Sequence, residues 1–359
     1  MFSPVAITGS SKYGAKGGCT AETLKSFGLS ESSKVALIEA GNHGLARSTW
    51  SSYGTAMKMM ALCEKDTGRN LQFPLKEGDI LEYVGWLMSV RKVKANTISS
   101  YLAGIRQQHL ALGMEAPAIR SPMVKLILKG RRNMDCISDR QKPTRLPMTI
   151  KLMKTLKQHT REWDAPIVKK LLMWAIATVA FHGGFRIHEL LCKAETFFDP
   201  DFELLGEDVT VTADIDMGKM LRIKLKCPKE DRAGKAVIVE VHETQGTLCP
   251  VKAFERWSSK ADIQMKMPLF RNSSGSNVTG RIMNRWLKDR LEKVIDYKKG
   301  NYSAHSFRIG LASTMAERGL DSQDIKEAGR WSSKAYELYV KLPQTKRAGT
   351  AKAIADLCR

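Results

Sequence analysis

The segment YSAHSFRIG carries a histidine and an arginine at a spacing that suits phosphate chemistry. His305 and Arg308 are three residues apart, so on a helix they share one face. Ser303, just upstream, is the predicted N-cap of that helix. A helix N-terminus attracts anions through its free N–H groups, and the imidazole and guanidinium would add further donors. The pattern is common by itself, but together with other cationic groups it predicts a phosphate site.

A second pair lies in the segment FHGGFRIHELL, where Arg186 and Glu189 are again three residues apart. On a helix the carboxylate can hold the guanidinium in a fixed orientation. An exposed pair of this kind often contributes little. Here the pair directly follows the Gly183–Gly184 break and an apolar helix, and this position favours a role in a site.

The segment GRWSSKAYELYVK near the C-terminus contains a tryptophan, Trp331, and two tyrosines, Tyr336 and Tyr339, on consecutive turns of a predicted helix. Either tyrosine could simply pack against a core. A tyrosine hydroxyl can also act as a nucleophile, but its reference pKa of about 10 means that it then needs a cationic field and a proton acceptor.

A lysine in the turn PKEDRAG, between two predicted strands, is the fourth chemical element. Lys229 is the preferred residue, and Lys226 and Lys235 are the alternatives. Strand register decides which of them points towards a bound phosphate, because successive residues of a strand face opposite sides.

Four stretches with helical periodicity lie between residues 47 and 134 and predict a small helical domain. Asn96 is the predicted N-cap of the third helix. The apolar stripe of that helix is predicted to consist of Ile98, Leu102 and Ile105. Residues 1–46 are rich in Gly, Ser, Ala and Lys with weak periodicity, which is typical of a flexible tail.

Residues 135–147 include Pro143 and Pro147, lack apolar periodicity and predict an extended linker. Residues 148–359 form the second predicted domain, which begins with helices, continues with three short alternating strands and is helical to its end. Its helix over residues 171–181 is apolar all round and is predicted to be central. The predicted fold class is therefore mainly α with a small antiparallel β-sheet, an α+β fold.

The chain of 359 residues has 58 Lys and Arg against 37 Asp and Glu, a net charge of +21. Such an excess favours a polyanionic partner, with nucleic acid ahead of an anionic membrane. Twelve of the cationic residues, against only two acidic ones, lie in the window 120–161 around the predicted linker. This basic window is predicted to neutralise phosphates of a duplex.

The longest apolar run has eleven residues, whereas a membrane-spanning helix needs about 20. The N-terminus lacks the basic region and long apolar stretch of a secretory signal. Seven cysteines without a CxxC pair predict neither a disulfide framework nor a zinc site, and the histidine spacing predicts no other metal site. The protein is therefore expected inside the cell, away from the membrane and without a metal.

Taken together, the four chemical elements resemble the catalytic series of the tyrosine recombinase (phage integrase) family. That series is an arginine with a following acidic residue, a hairpin lysine, His-x-x-Arg, a His or Trp and a tyrosine, and all members occur here in that order. The segments CPKEDRAGK, LCPVKAFERW, PLFRNSSG, AHSFRIG and GRWSSKAYELYV resemble recombinases of eukaryotic mobile elements, the DIRS-type retrotransposons and cryptons. The resemblance covers about residues 47–342.

The resemblance implies a role for each residue of the series. The implied roles are nucleophile for Tyr339, phosphate clamps for Arg186 and Arg308, hydrogen-bond donors for His305 and Trp331, proton donor to the departing 5′ oxygen for Lys229, and orienting carboxylate for Glu189. His305 is also the expected proton acceptor or relay for the attacking phenol. Trp331 precedes Tyr339 by eight residues, where many relatives have nine, so Tyr336 stays open as an alternative nucleophile.

The activity implied by the resemblance is site-specific DNA recombination through a 3′-phosphotyrosine intermediate, for integration or excision of a mobile element and without any cofactor. Residues 47–134 then resemble the family's core-binding domain and residues 148–359 its catalytic domain. The implied partner is double-stranded DNA, on which the protein assembles as a tetramer, in the nucleus if the source is eukaryotic and otherwise in the cytoplasm. A type IB topoisomerase and a catalytically silent DNA-binding protein are the alternatives.

Overall fold

Two successive parts of the chain each form a hydrophobic core of their own. The computed structural model describes residues 24–45, 47–139, 145–226, 236–292, 294, 301–331 and 336–337. The first unit is Met1–Lys142 and the second is Pro143–Arg359. Within the described residues, no helix combines the length and the apolar character needed to cross a membrane.

The described part of the first unit is helical. Its helices are α1 (Glu31–His43), α2 (Arg47–Thr67), α3 (Glu77–Ser89), α4 (Ala95–Ala111) and α5 (Pro122–Asp139). Their core contains the predicted apolar stripe of α4, with Ile98 and Ile105 fully buried and Leu102 nearly so. The prediction of four successive helices between residues 47 and 134 is therefore confirmed.

Helix α1 lies within residues 1–46, where the composition predicted no regular structure, and that expectation is wrong for Glu31–His43. The side chain of Ser30 accepts a hydrogen bond from the backbone N–H of Ser33 and so caps the helix, and Glu31 favours its first turn. The N-cap could not be recognised from the composition, because serine is typical both of flexible tails and of helix N-caps.

The start of α4 also differs from the prediction. The helix begins at Ala95 rather than after Asn96. The Oδ2 atom of Asp135 accepts a hydrogen bond of 2.7 Å from the backbone N–H of Ala95. Asp135 belongs to α5, which continues to Asp139 and so makes the first residues of the predicted extended linker helical.

The second unit combines helices with a sheet. Its helices are α6 (Ile150–Glu162), α7 (Ile167–His182), α8 (Ile187–Leu190), α9 (Pro250–Ser258), α10 (Gly280–Leu291), α11 (His305–Glu317) and α12 (Ser322–Gly329). Its strands are β1 (Val209–Asp214), β2 (Gly218–Leu225) and β3 (Val237–His242). The strands form an antiparallel sheet in the order β1-β2-β3. Residues 259–279 are not helical, so the expectation of continuous helix beyond Cys249 is wrong there.

The sheet and the helices share one core around α7. Ile223 of β2 pairs with Val209 of β1 on one side and with Val239 of β3 on the other. Helix α7 is buried along most of its length, and α9 and α11 pack against it. Its C-terminal end therefore carries the next residues from the centre of the unit towards the candidate site.

Candidate active site

The Gly183–Gly184 break ends α7 and turns the chain into the short helix α8. Gly184 has φ +54, a conformation that favours glycine. A Cβ atom there would also lie 2.8 Å from a methyl carbon of Leu311 and 3.5 Å from the Cα atom of Gly329. The break thus lets the backbone before Arg186 pass close to helices α11 and α12.

Glu189 joins Arg186 to an arginine that the motifs did not single out. Its Oε1 atom accepts a 3.0 Å hydrogen bond from Nη1 of Arg186, and its Oε2 atom accepts one of 2.9 Å from the Arg186 backbone N–H. Oε2 also accepts a 2.9 Å bond from Nη2 of Arg330. Burial raises the pKa of the Glu189 carboxyl, but the Arg330 charge and the bonds from Arg186 outweigh burial and hold that pKa below its usual value.

Helix α11 begins with His305, and its first turn is fixed by residues from other elements. The backbone N–H of Ala304 donates a 2.8 Å bond to Oδ1 of Asn284 in α10. The Ser306 carbonyl accepts a 2.9 Å bond from the backbone N–H of Met148. Ser303 is not the N-cap, because Ala304 holds that position and the Ser303 backbone N–H donates to the Ser306 hydroxyl.

His305 lies in a cationic environment. Burial, followed by the charges of Arg145, Arg308, Arg186 and His188, lowers the pKa of its imidazole to about 4. The imidazole is therefore neutral at pH 7 and can accept a proton. Arg145 reaches this group because the chain around it runs parallel to the segment at Asn301, with which it forms an isolated bridge.

Arg308 is the most enclosed of those predicted site residues that the structure describes, with 1% of its surface exposed. Its Nη1 atom donates to the Gly184 carbonyl, and its Nη2 atom donates to the Arg330 carbonyl at 3.4 Å. The ring of Trp331 covers the guanidinium at 4.2 Å, a cation–π contact. The structure thus brings Arg186, Glu189, His305, Arg308 and Trp331 into one cluster.

Of the two tyrosines, Tyr336 is described and is buried. Its hydroxyl is hydrogen-bonded to that of Ser322, and its ring centroid lies 5.9 Å from that of Trp331. It packs in a small apolar cluster with Ala312, Ala316 and Ile325. Such a tyrosine contributes to the position of Trp331 and α12. The predicted nucleophile, Tyr339, lies outside the described residues.

The hairpin lysines are only partly described. Lys229 and Lys235 lie outside the described residues. The Nζ atom of Lys226 is 2.8 Å from Oδ2 of Asp208 and donates a 2.9 Å bond to the Pro200 carbonyl. Lys226 is thus engaged by its own surroundings. Lys229 stays the predicted hairpin residue, with Lys235 as its alternative.

Sequence reasoning missed Arg145 and Arg330. Arg145 belongs to the basic window, so the sequence reveals its charge but not its neighbours. Arg330 directly precedes Trp331 in the GRW segment, and this adjacency was the one signal available. Its partner Glu189 is 141 residues away, a contact that no local pattern reveals.

An open cleft of about 490 Å³ adjoins the cluster, between α8 and the start of α10. Its lining includes the cationic side chains of Lys193 and Arg281, the acidic side chain of Glu195, and His188. Within the described residues, no group of three or more His, Cys, Asp or Glu side chains could hold a metal ion. The guanidinium, imidazole and indole groups of the cluster can bind phosphate oxygens and stabilise developing negative charge.

No protein-family model matches the chain, and no curated protein matches its sequence. Among solved structures, the chain is similar to the XerH site-specific recombinase bound to palindromic difH substrate, with 13% identity, a TM-score of 0.56 and coverage of 90% of this chain and 84% of that chain. It is also similar to the Tn1549 transposon integrase in complex with transposon right end DNA, with 14% identity, a TM-score of 0.53 and coverage of 86% and 94%.

These similarities define the class of fold. The chain has the fold of the tyrosine recombinases, mainly α with a small antiparallel sheet, and the predicted fold class is confirmed. The resemblance inferred from motifs and the similarity found from the fold lead to the same class.

Proposed function

We propose that this protein is a site-specific DNA recombinase, a DNA strand-transferase that cleaves and rejoins duplexes through a 3′-phosphotyrosine at Tyr339. One observation carries the proposal: the Arg186–Glu189 pair, His305, Arg308 and Trp331, which are up to 145 residues apart in sequence, form one cationic cluster in a recombinase fold. A cluster of donors around a neutral imidazole is what attack by a phenol on a phosphodiester requires.

In the proposed reaction, Arg186 and Arg308 bind the nonbridging oxygens of the scissile phosphate. His305 accepts the proton of the Tyr339 hydroxyl as the phenolic oxygen attacks phosphorus. The bond from phosphorus to the 5′ oxygen breaks, and Lys229 supplies the proton that makes this oxygen a free hydroxyl. Rejoining reverses each transfer, so the reaction consumes no nucleotide and needs no other co-reactant.

Trp331 controls access to one of these groups. Its ring lies over the Arg308 guanidinium, which is 1% exposed. A phosphate oxygen therefore reaches Arg308 only after the indole moves aside. A shift of the segment that carries Trp331 on DNA binding would open Arg308 and would also place the following residues, Tyr339 among them, beside the phosphate.

The partner in this proposal is double-stranded DNA. The net charge of +21 and the basic window 120–161 support binding to the phosphate backbone. By family resemblance the active form is a tetramer on two duplexes, and residues 344–359, which lie outside the described part, are proposed to dock on a neighbouring subunit. Mass photometry on DNA tests this: deletion of residues 344–359 should leave binding but reduce assembly, and unchanged assembly would contradict it.

The activity can be tested before the target site is identified. The protein would be incubated with a pool of randomised duplexes that carry nicks, from which the short 5′ fragment diffuses away after cleavage. Covalent complexes that survive denaturant would be captured and their DNA sequenced. We expect adducts enriched in one sequence and insensitive to chelator. Binding without any adduct would favour a catalytically silent DNA-binding protein, and relaxation of supercoiled DNA without a preferred sequence would favour a topoisomerase.

A further inference from the structure

Arg330 has an unusual backbone conformation for a residue with a side chain. Its φ is +52 and its ψ is +52, at the C-terminal end of α12. This left-handed conformation costs free energy for all residues but glycine, and such positions cluster at functional sites. The preceding residue, Gly329, shows how tight the turn is, because a Cβ atom there would lie 1.6 Å from the ring of Trp331. Backbone bonds from Arg330 to the Glu327 carbonyl and from Trp331 to the Lys326 carbonyl stabilise this helix end, and contacts of the Arg330 side chain add to them.

These contacts tie Arg330 to both of the predicted phosphate-binding arginines. Its Nη2 atom donates to Oε2 of Glu189 at 2.9 Å, and the other oxygen of that carboxylate accepts from Arg186. Its carbonyl oxygen accepts from Nη2 of Arg308 at 3.4 Å. Its Nη1 atom donates to the Gly183 carbonyl at 2.9 Å, next to the Gly184 carbonyl that accepts from Arg308.

We propose that Arg330 is a positioning residue of the cleavage reaction, which fixes Arg186 through Glu189 and Arg308 through its own backbone carbonyl. The inference rests on the proposed function. Arg330 does not touch the phosphate in this account. Its guanidinium also lies over the ring of Phe185, 4.8 Å from the ring centroid.

Charge gives the second reason for this role. Glu189 is nearly buried, and its carboxylate remains ionised because cationic groups surround it. The cationic groups are Arg186, which is the N-cap residue of α8, Arg330, which follows α12, and Arg308 on α11. His188 of α8 and the neutral His305 of α11 are the imidazoles of the same cluster. Burial raises the pKa of Glu189, and among the groups that lower it the charge of Arg330 has the largest effect. Without Arg330, protonation of Glu189 would release Arg186 at a higher pH.

The test compares three substitutions with a matched control. Arg330→Gly relieves the backbone strain and removes the guanidinium. Arg330→Gln removes the charge and the guanidinium donors but keeps a polar side chain, and Arg330→Lys keeps the charge but not the paired donors. The control is Lys92→Gly, because Lys92 also has φ +52 and is cationic but lies after α3 in the first unit. Single-turnover adduct formation at saturating DNA, DNA affinity and Tm would be measured for each protein.

We expect Arg330→Gly and Arg330→Gln to slow adduct formation at least about tenfold at pH 7.5, with DNA affinity within about twofold of the wild type. In Arg330→Gln the decrease of the adduct rate on the acid side of the pH profile should begin at a higher pH than in the wild type. In Arg330→Lys that decrease should begin at the wild-type pH, but the maximal rate should stay below that of the wild type. Lys92→Gly should cleave like the wild type. A full rate in Arg330→Gly, or a rate loss matched by equal losses of affinity and folding, would overturn the inference.

A second measurement separates this inference from the proposed function. If the wild-type protein forms no adduct, the proposed function fails. The inference about Arg330 can still be tested, because the Glu189 carboxyl can be titrated by NMR in protein with labelled glutamate. The Glu189→Gln variant assigns its signal. Its pKa should be higher in Arg330→Gln than in the wild type. An unchanged pKa would contradict the inference, whatever the activity.

Discussion

At the scale of single residues, the chemistry of the cluster depends on His305 being neutral. An imidazolium among several guanidiniums would donate hydrogen bonds to phosphate but could not accept the proton of a phenol. Burial and the neighbouring charges lower the pKa of His305 to about 4 and so keep the acceptor form at neutral pH. A bound phosphodiester, which is anionic, would raise this pKa and help His305 to hold the proton that it accepts.

The same shift predicts how stability depends on pH. The pKa of His305 is about 4 when folded and near the reference of about 6.5 when unfolded. Between these values the unfolded chain binds the extra proton, so the free energy of unfolding decreases as pH falls through this window. His305→Asn should reduce that decrease in urea titrations from pH 7 to 4. The control His43→Gln, at an exposed position of α1, should leave it as in the wild type, and equal curves for all three proteins would contradict the prediction.

The two predicted phosphate clamps make a second prediction at this scale. Arg186→Ala and Arg308→Ala should each slow adduct formation by at least about a hundredfold, the effect typical of losing one donor to transition-state charge. Arg222→Ala, which removes an exposed arginine of β2 paired with Glu240, should leave the rate unchanged. Rates would be measured at saturating DNA, so that binding does not limit them. A full rate in either clamp variant would remove that arginine from the mechanism.

Single residues of the site could be predicted where the motif itself sets their spacing. His305 and Arg308 share a face of α11, as their i, i+3 spacing predicts. Arg186 and Glu189 also meet as predicted, but Arg186 is the N-cap residue of α8 and Glu189 accepts from its backbone N–H, so the contact is a helix cap and not a shared helix face. Arg330 could not be predicted, because its role arises from a left-handed turn and from contacts with α8 and α11. The contact of the Trp331 ring with Arg308 could not be predicted from the sequence either, because it depends on where α12 ends.

At the scale of elements, the end of α12 positions the site. Gly329 has no side chain, and the ring of Trp331 occupies the space that a Cβ atom would need. Arg330 turns the chain back so that Trp331 lies over Arg308. The buried Tyr336 packs against Ala312 and Ala316 of α11 and Ile325 of α12.

Gly329→Ala should therefore displace Trp331 and destabilise the second unit. Forced overpacking of this kind typically costs about 1–3 kcal/mol. Urea unfolding measures that loss, and adduct formation should slow in parallel because displacement of the turn moves the Arg330 carbonyl that aligns Arg308. Gly246→Ala is the control, since a Cβ atom there meets nothing within 4 Å. Equal stability of the two variants would show that the turn tolerates a side chain.

Elements were predicted well where the pattern was local. The strands, the apolar helix α7 and the stripe of α4 follow from alternation and helical periodicity. The starts of helices were predicted less well. The backbone N–H of Ala95, at the start of α4, donates to Asp135, and that of Ala304, just before α11, donates to Asn284. Both acceptors belong to distant elements. Sequence-local capping rules cannot find a carboxylate or an amide that tertiary structure brings to a helix end.

At the scale of the whole molecule, the excess of positive charge predicts that the proposed binding to DNA is mainly electrostatic. Each phosphate neutralised by Lys or Arg releases counterions, so affinity falls steeply with salt. We expect a loss of at least about 10³-fold between 50 and 200 mM salt. Fluorescence anisotropy on a duplex measures this, and a nearly flat dependence would contradict a role for the basic window.

The basic window can be tested residue by residue. Lys125→Gln and Lys129→Gln, both on the exposed surface of α5, should each reduce the salt slope by about 1. Arg69→Gln is the control, because Arg69 is already paired with Asp79 and Glu82. Equal slopes for all three variants would show that α5 does not contact the backbone.

The central claim is that Tyr339 attacks the scissile phosphate, and peptide mapping of the covalent adduct tests it most directly. Adducts from the nicked pool would be digested with nuclease and protease, and the nucleotide-bearing peptide would be sequenced by mass spectrometry. We predict the label on Tyr339, its loss in Tyr339→Phe with DNA binding retained, and its persistence in Tyr336→Phe. A label on Tyr336, or an adduct that survives Tyr339→Phe, would contradict the account.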